Sequence, residues 1–165
     1  MSTNLRAPGA QQPEVDGRGR SVAIVCSRFN DAIVTALEQG ARRALVERGV
    51  DAGAIDTVWV PGALEIPQVA VRLAATGRHD AVVALGAVIK GDTYHFEVVC
   101  DASAAGLMQL SLTTDVVITN GILTVYDDEQ ARVRSADDDR NKGAEAAIAA
   151  LETLAAVDGL SPQSE

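Results

Sequence analysis

From residue 21 onward the chain alternates between two hydrophobic rhythms. Short unbroken runs rich in β-branched residues, the pattern of strands buried on both faces, take turns with longer stretches that are apolar at three- and four-residue spacing, the pattern of helices. VAIVC at 22 to 26 is the first run. Asn30 or Asp31 can cap a helix reaching about Arg48, with Ile33, Leu37, Ala41, Ala44 and Leu45 on one side and Gly49 closing it. IDTVWV at 55 to 60 is a second strand, and PGALEIP turns the chain into a helix from Ile66 to about Ala75. Pro67 is tolerated there in the first turn, and Gly77 ends the helix. DAVVALGAVIKG at 80 to 91 holds the most hydrophobic strand, after which Phe96, Val99, Cys100, Ser103, Leu107 and Leu110 mark the inner face of a long helix. VVITNGILTV at 116 to 125 is the fourth strand. A short helix from about Glu129 to Arg134 follows, then an alanine-rich one from Asn141 to about Val157 with Ile148, Leu151 and Leu154 inward.

Strands regularly followed by helices imply right-handed crossovers and an α/β, flavodoxin-like three-layer sandwich, a four-stranded parallel sheet flanked by helices on both faces. In such a sheet the ligand crevice lies beyond the carboxyl ends of the strands. Function is therefore expected in the loops that begin at Ser27, Pro61, Lys90 and Asn120. The first twenty residues carry Gly, Pro, Gln and charge without apolar periodicity, so 1–20 reads as a flexible arm, 21–157 as one domain and 158–165 as a fraying tail.

A length of 165 residues with 47% hydrophobic content suits a single core. Fourteen Lys and Arg against 23 Asp and Glu leave a net charge of -9, which removes the diffuse basic field that a general nucleic-acid or acidic-membrane binder needs. No apolar run approaches the ~20 residues of a membrane span, and the start lacks the hydrophobic segment of a secretion signal, so a soluble cytoplasmic protein is expected. Cys26 and Cys100 have no partner at metal-ligand spacing and read as reduced, buried thiols. The DDD triplet at 137 to 139 reads as a solvated turn.

The loops hold the candidate chemistry. GAVIKGDT at 86 to 93 has the glycine spacing of a phosphate loop, but Asp92 stands where that motif requires lysine, which excludes the nucleoside-triphosphatase reading. The N–H groups of Gly91, Asp92 and Thr93, just ahead of a helix, can still hold an anion; an ordinary strand-to-helix turn is the alternative. His95 follows in the first helical turn, either as a proton carrier or as a polar capping residue, whereas His79, the other histidine, sits in the connection GRHD, read as surface. Phe29, one of five aromatic residues, is a core plug or a ring exposed for stacking on a planar heterocycle. Glu65 is a helix-start carboxylate or an acceptor for polyol hydroxyls. Arg134 and Lys142 flank the DDD triplet, as surface partners of those carboxylates or as a fork and a point charge that localise an anion.

SRFN at 27 to 30, VPGALEIP at 60 to 67, ALGAVIKGDTYHFEVV at 84 to 99, NGILT at 120 to 124, EQA at 129 to 131 and NKGAEAA at 141 to 147 together closely resemble the lumazine synthase family, in order and without an evident gap. Each fragment is weak alone; the joint pattern is specific. The resemblance implies condensation of 5-amino-6-(D-ribitylamino)uracil with 3,4-dihydroxy-2-butanone 4-phosphate, without metal or organic cofactor. Carried over by motif, it implies that Phe29 stacks on the pyrimidinedione, Ala63 and Leu64 offer backbone groups, Glu65 holds ribityl hydroxyls and Val88 and Ile89 touch the ring. Gly91, Asp92 and Thr93 would cradle the phosphate with Arg134, and His95 would shuttle protons. It further implies a homo-oligomer, at least a pentamer, with Asn120, Arg134 and Lys142 reaching the site of an adjacent chain. Relatives range from pentamers through paired pentamers to an icosahedral shell, which the lack of an insertion between Arg134 and Lys142 permits. At the position of Asn120 many relatives resemble this chain while others carry phenylalanine, and Tyr94 and the DDD triplet depart from the commonest pattern. Two rivals stay in view. A receiver-type signalling module needs an acidic pocket after the first strand, where this chain has Cys26, Ser27 and Arg28. A catalytically weak pentameric scaffold or flavin binder would be marked by loss of Phe29, His95, Arg134 or Lys142, all of which are present.

Overall fold

The computed structural model describes residues 14–160. Four parallel strands, β1 (Val22–Ser27), β2 (Ile55–Val60), β3 (Ala81–Ile89) and β4 (Val117–Val125), lie in the order β2-β1-β3-β4. The interleaved helices are α1 (Asp31–Glu47), α2 (Ile66–Ala75), α3 (His95–Thr113), α4 (Asp128–Ser135) and α5 (Lys142–Asp158). Alternate side chains of the central strands enter separate cores. Val22, Ile24 and Cys26 of β1 pack with α1 and α5, while Ala23 and Val25 pack with α2 and α3. Because β1 and most of β3 are buried on both sides, they read as continuous apolar runs, and each buried Val or Ile contributes roughly 1.5–3 kcal/mol. The three-layer sandwich expected from the sequence is the observed fold.

Several local expectations need correcting. α1 fully buries Val34 along with Leu37, Ala41, Ala44 and Leu45, while Ile33, partly buried, packs against the edge of the same core. On α3 Val99, Ser103, Leu107 and Leu110 are buried, but Phe96 and Cys100 are only half-buried because they flank the stripe that meets the sheet. Cys26 is buried, and burial pushes its thiol up to about 12, leaving it an inert neutral group. Two 3-10 turns, Ala52–Ala54 and Ala63–Glu65, were not anticipated, being too short for a periodic signal.

His79 is not a surface residue. Its side chain is 1% exposed, with Nε2 2.7 Å from Asp56 Oδ2 and Nδ1 buried without a partner. That hydrogen bond is the main reason the Asp56 carboxyl sits below its usual range. The pair lies near the amino ends of the strands, away from the crevice. Of the segment expected as an arm, residues 1–13 lie outside the described residues. Val15 packs on the core, Gly17 N–H donates to Arg48 O (2.7 Å), and Arg20 pairs with Asp158. Residues 161–165 of the expected tail also lie outside the described range.

Candidate functional site

The carboxyl ends of β1, β2 and β3 deliver three loops to one side of the sheet, and a cleft of roughly 360 Å³ opens between them. Phe29, Ala63, Leu64, Glu65, Val88, Ile89 and His95 all line it. Phe29 is 68% exposed, which removes the core-plug reading. Its loop is tied down by N–H bonds from Arg28 to Val60 O (2.8 Å) and from Phe29 to Pro61 O (3.1 Å). Gly62 makes the ring's position available. A Cβ there would lie 2.9 Å from two ring carbons of Phe29 and 3.1 Å from Glu65 Oε2, so any larger residue would push the ring or the carboxylate away. Glu65 is half-buried and takes the Gly62 N–H on Oε2 at 2.9 Å, an orientation that leaves Oε1 as a second acceptor.

Asn30 was expected as a helix cap through its side chain. It does precede α1, but in the left-handed region (φ 60), and its side chain makes no capping bond. Instead Nδ2 donates to Ala87 O at 2.8 Å, tying the Phe29 loop to the strand that carries Val88 and Ile89. Asparagine suits both demands, since it tolerates positive φ better than other non-glycine residues and carries an amide donor. The sequence signal, an Asn after an aromatic at a strand end, fitted either role.

Past Ile89 the chain runs through exposed Gly91, Asp92 and Thr93 into α3, whose first residue is His95. Among the described residues, the N–H groups of Gly91, Asp92 and Thr93 donate to no other backbone group. A Cβ on Gly91 would meet nothing within 4 Å, so the fold itself does not demand glycine there.

Asn120, Arg134 and Lys142 do not join this cleft. They line a separate groove of roughly 500 Å³ along β4, with Ile122, Thr124 and Glu145. Neither cation pairs with the DDD triplet: Asp137 meets Arg43 and Asp138 meets Arg140, each at 2.5 Å. Lys142 Nζ lies 2.6 Å from Glu145 Oε2. Arg134 donates Nη1–H to Gln130 O (3.1 Å), and among the described residues no carboxylate comes within salt-bridge reach of it. No three His, Cys, Asp or Glu side chains of the described residues come together as metal ligands would, and no described helix is long and apolar enough to cross a membrane.

A profile of the 6,7-dimethyl-8-ribityllumazine synthase family matches residues 19–158. This chain belongs to that family. Among its curated relatives of that name, the protein of Leuconostoc mesenteroides is 49% identical over 140 residues, 85% of this chain and 90% of the relative. That of Kineococcus radiotolerans is 49% identical over 160 residues (96% and 98%), and that of Gemmatimonas aurantiaca 46% over 152 (92% and 93%). In this lumazine synthase family member, Asn141 is the residue that sequence reasoning undervalued. It opens α5 and is 2% exposed, with Oδ1 accepting Ala144 N–H (3.0 Å) and Nδ2 donating to Ser135 O (3.0 Å), Ala136 O (3.1 Å) and Ala36 O (3.3 Å). One side chain thereby fixes the end of α4, which carries Arg134, and the start of α5, which carries Lys142.

Proposed function

We propose that this chain is a 6,7-dimethyl-8-ribityllumazine synthase, a transferase of riboflavin biosynthesis. It condenses 5-amino-6-(D-ribitylamino)uracil with 3,4-dihydroxy-2-butanone 4-phosphate and releases phosphate and water. The observation that carries the reading is the division of the motif residues into two half-sites. One cleft holds an exposed ring, a polyol acceptor and a histidine; a separate groove holds the cations that the cleft lacks.

In this reading the Phe29 ring stacks on the pyrimidinedione, worth about 0.5 to 1.5 kcal/mol beyond area burial. Ala63 and Leu64 present backbone groups, Glu65 accepts ribityl hydroxyls, and Val88 and Ile89 pack on the ring. The N–H groups of Gly91, Asp92 and Thr93 take the phosphate at the start of α3, where the helix dipole favours an anion. Gly91 fits that task, since its missing side chain serves backbone approach rather than packing. His95 exchanges protons as the amine and ketone form an imine, phosphate departs and the ribityl nitrogen closes the second ring. Holding both substrates stacked and oriented supplies much of the acceleration. His95→Ala is therefore expected to lower kcat about a hundredfold, the low end for a proton-transfer group, because water can replace it in an open cleft. Steady-state turnover measures this, and complete loss of activity would contradict it.

Asn120, Arg134 and Lys142 complete the cleft of a neighbouring chain in a ring of at least five, so every site joins two chains. Supporting this, no described Lys or Arg lines the cleft, and Arg134 and Lys142 line a groove that shares no residue with it. Lumazine formation from both substrates, followed by absorbance and fluorescence, tests the activity. Co-expression tests the shared site. Chains carrying Glu65→Gln and chains carrying Arg134→Ala, each poorly active alone, are expected to recover about a quarter of parental activity when randomly mixed, because about one site in four then pairs two intact halves. Recovery no greater than the sum of the separate activities would place both halves of the site on one chain.

A further inference from the structure

Lys90 has no role in the reaction described above, yet it is the most heavily engaged residue between β3 and α3. Its N–H donates to Val125 O (2.9 Å) at the end of β4. Its ammonium lies 3.2 Å from Glu97 Oε1, 5.9 Å from the centroid of the Phe96 ring and 5.6 Å from that of Tyr126. The two rings lean on each other at 6.2 Å and 44°. Both ammonium distances fall within the ~6 Å at which a cation is attracted to an aromatic face. Three elements therefore meet on one side chain: the strand end before the turn, the first helical turn after it, and the connection from β4 to α4.

The turn so enclosed, 91 to 93, is exposed throughout and has no backbone partner of its own among the described residues. Its shape must come from its two ends. A turn that offers N–H groups to an anion is useful only if those groups point to one spot before the anion arrives, since ordering them afterwards subtracts from affinity.

We propose that Lys90, clamped by Phe96, Tyr126 and Glu97, is a positioning residue that preorganises the 91 to 93 turn for the phosphate group of the substrate. The inference rests on the reading of that turn as the phosphate cradle. Lys90 acts through the backbone rather than by contact. Its charge is already engaged by Glu97 and by two ring faces, which hold the ammonium at the flank of the turn. Tyr126 is the informative partner because it is 68% exposed, lies outside both half-sites and can be changed without touching substrate or core.

The test compares the parent chain with Lys90→Met, Tyr126→Leu, both together, and Lys90→Arg, using steady-state kinetics with both substrates and binding of inorganic phosphate followed by phosphorus NMR. Lys90→Met and Tyr126→Leu are each expected to raise KM for the butanone phosphate, and the dissociation constant of inorganic phosphate, about three- to tenfold. KM for the pyrimidine and kcat should stay within about twofold. Lys90→Arg should restore the parental values, and the double variant should be no worse than the single ones, since either change opens the same clamp. Unchanged phosphate constants would overturn the proposal, as would a joint shift of both KM values and kcat, the mark of general loosening. Weaker phosphate binding in Lys90→Met but not in Tyr126→Leu would also overturn it, making Lys90 a direct ligand. A parent chain that forms no lumazine would defeat the synthase reading instead, while the phosphate measurements would still decide the role of Lys90.

Discussion

Replacing Arg134 by alanine is expected to lower kcat/KM several hundredfold, roughly the 3–4 kcal/mol lost when one member of a desolvated, hydrogen-bonded charge pair is removed. The expectation follows from charge. The substrate phosphate is a dianion, the chain carries a net -9, and the cradle proposed at 91 to 93 has Asp92 at its centre. Backbone N–H groups can orient the anion, but a cation must offset the surrounding field. Arg134 is suited to this because no described carboxylate neutralises it and, among the described residues, its side chain donates only to the backbone at Gln130, leaving most of its fork to a ligand. Lys142 cannot substitute, since its ammonium is held by Glu145. The loss should fall mainly on KM for the butanone phosphate. Arg134→Lys should recover part of it, the charge without the bidentate geometry. A loss below about fivefold would remove Arg134 from the phosphate site.

Asn141→Ala is the substitution expected to cost the most stability, about 3–4 kcal/mol. Loss of the helix cap to Ala144 accounts for about 1 kcal/mol. The carbonyls of Ser135 and Ala136 lose a donor in a region with little access to water, at about 1 kcal/mol or more each. No neighbour can move in to replace the amide. Gly40 of α1 lies so close that a Cβ there would fall on the Asn141 side chain, and a Cβ on Gly143 would fall on the Leu37 carbonyl, so the helices already touch. Against a typical total of about 5–15 kcal/mol this is a large fraction, readable as a lower urea midpoint or a melting temperature lowered by roughly 10 °C. Asn141→Ser should recover about 1 kcal/mol by restoring the cap alone. A destabilisation of Asn141→Ala below about 1 kcal/mol would show that water satisfies those carbonyls instead.

The elements that read best in the sequence are those whose pattern has one physical cause. β1 and β3 are buried on both faces, so their apolar runs are continuous, and α2 matches its expected limits because Pro67 and Gly77 punctuate it. Gly49 and Gly77 end their helices with φ of 95° and 70°, as a sequence glycine after a periodic run implies. Phase was less legible. Ile33 and Val34 are both apolar and adjacent, and the spacing alone does not tell that Val34 is the fully buried one while Ile33 packs at the edge of the core. The connection GRHD reads as surface, whereas it folds the His79 ring inward onto Asp56.

The amino-acid order by itself determined the family and the parallel sheet, because strand and helix periodicity and motif spacing are local properties that survive without coordinates; it misplaced Asn120, expected to begin a loop, which lies inside β4. Tertiary structure alone decided how the motif residues group. Phe29, Glu65 and His95 meet in one cleft because three strand ends open on the same side of the sheet, whereas Arg134 and Lys142 are carried by the helices after β4 into another groove. It alone also decided that Asn30 binds Ala87, that Asn141 joins α1, α4 and α5, and that the Lys90 ammonium lies against two neighbouring rings. Those contacts link residues far apart in the chain or brought together by a turn, and a hydrogen-bond partner at such a distance leaves no periodic trace in the sequence that specifies it.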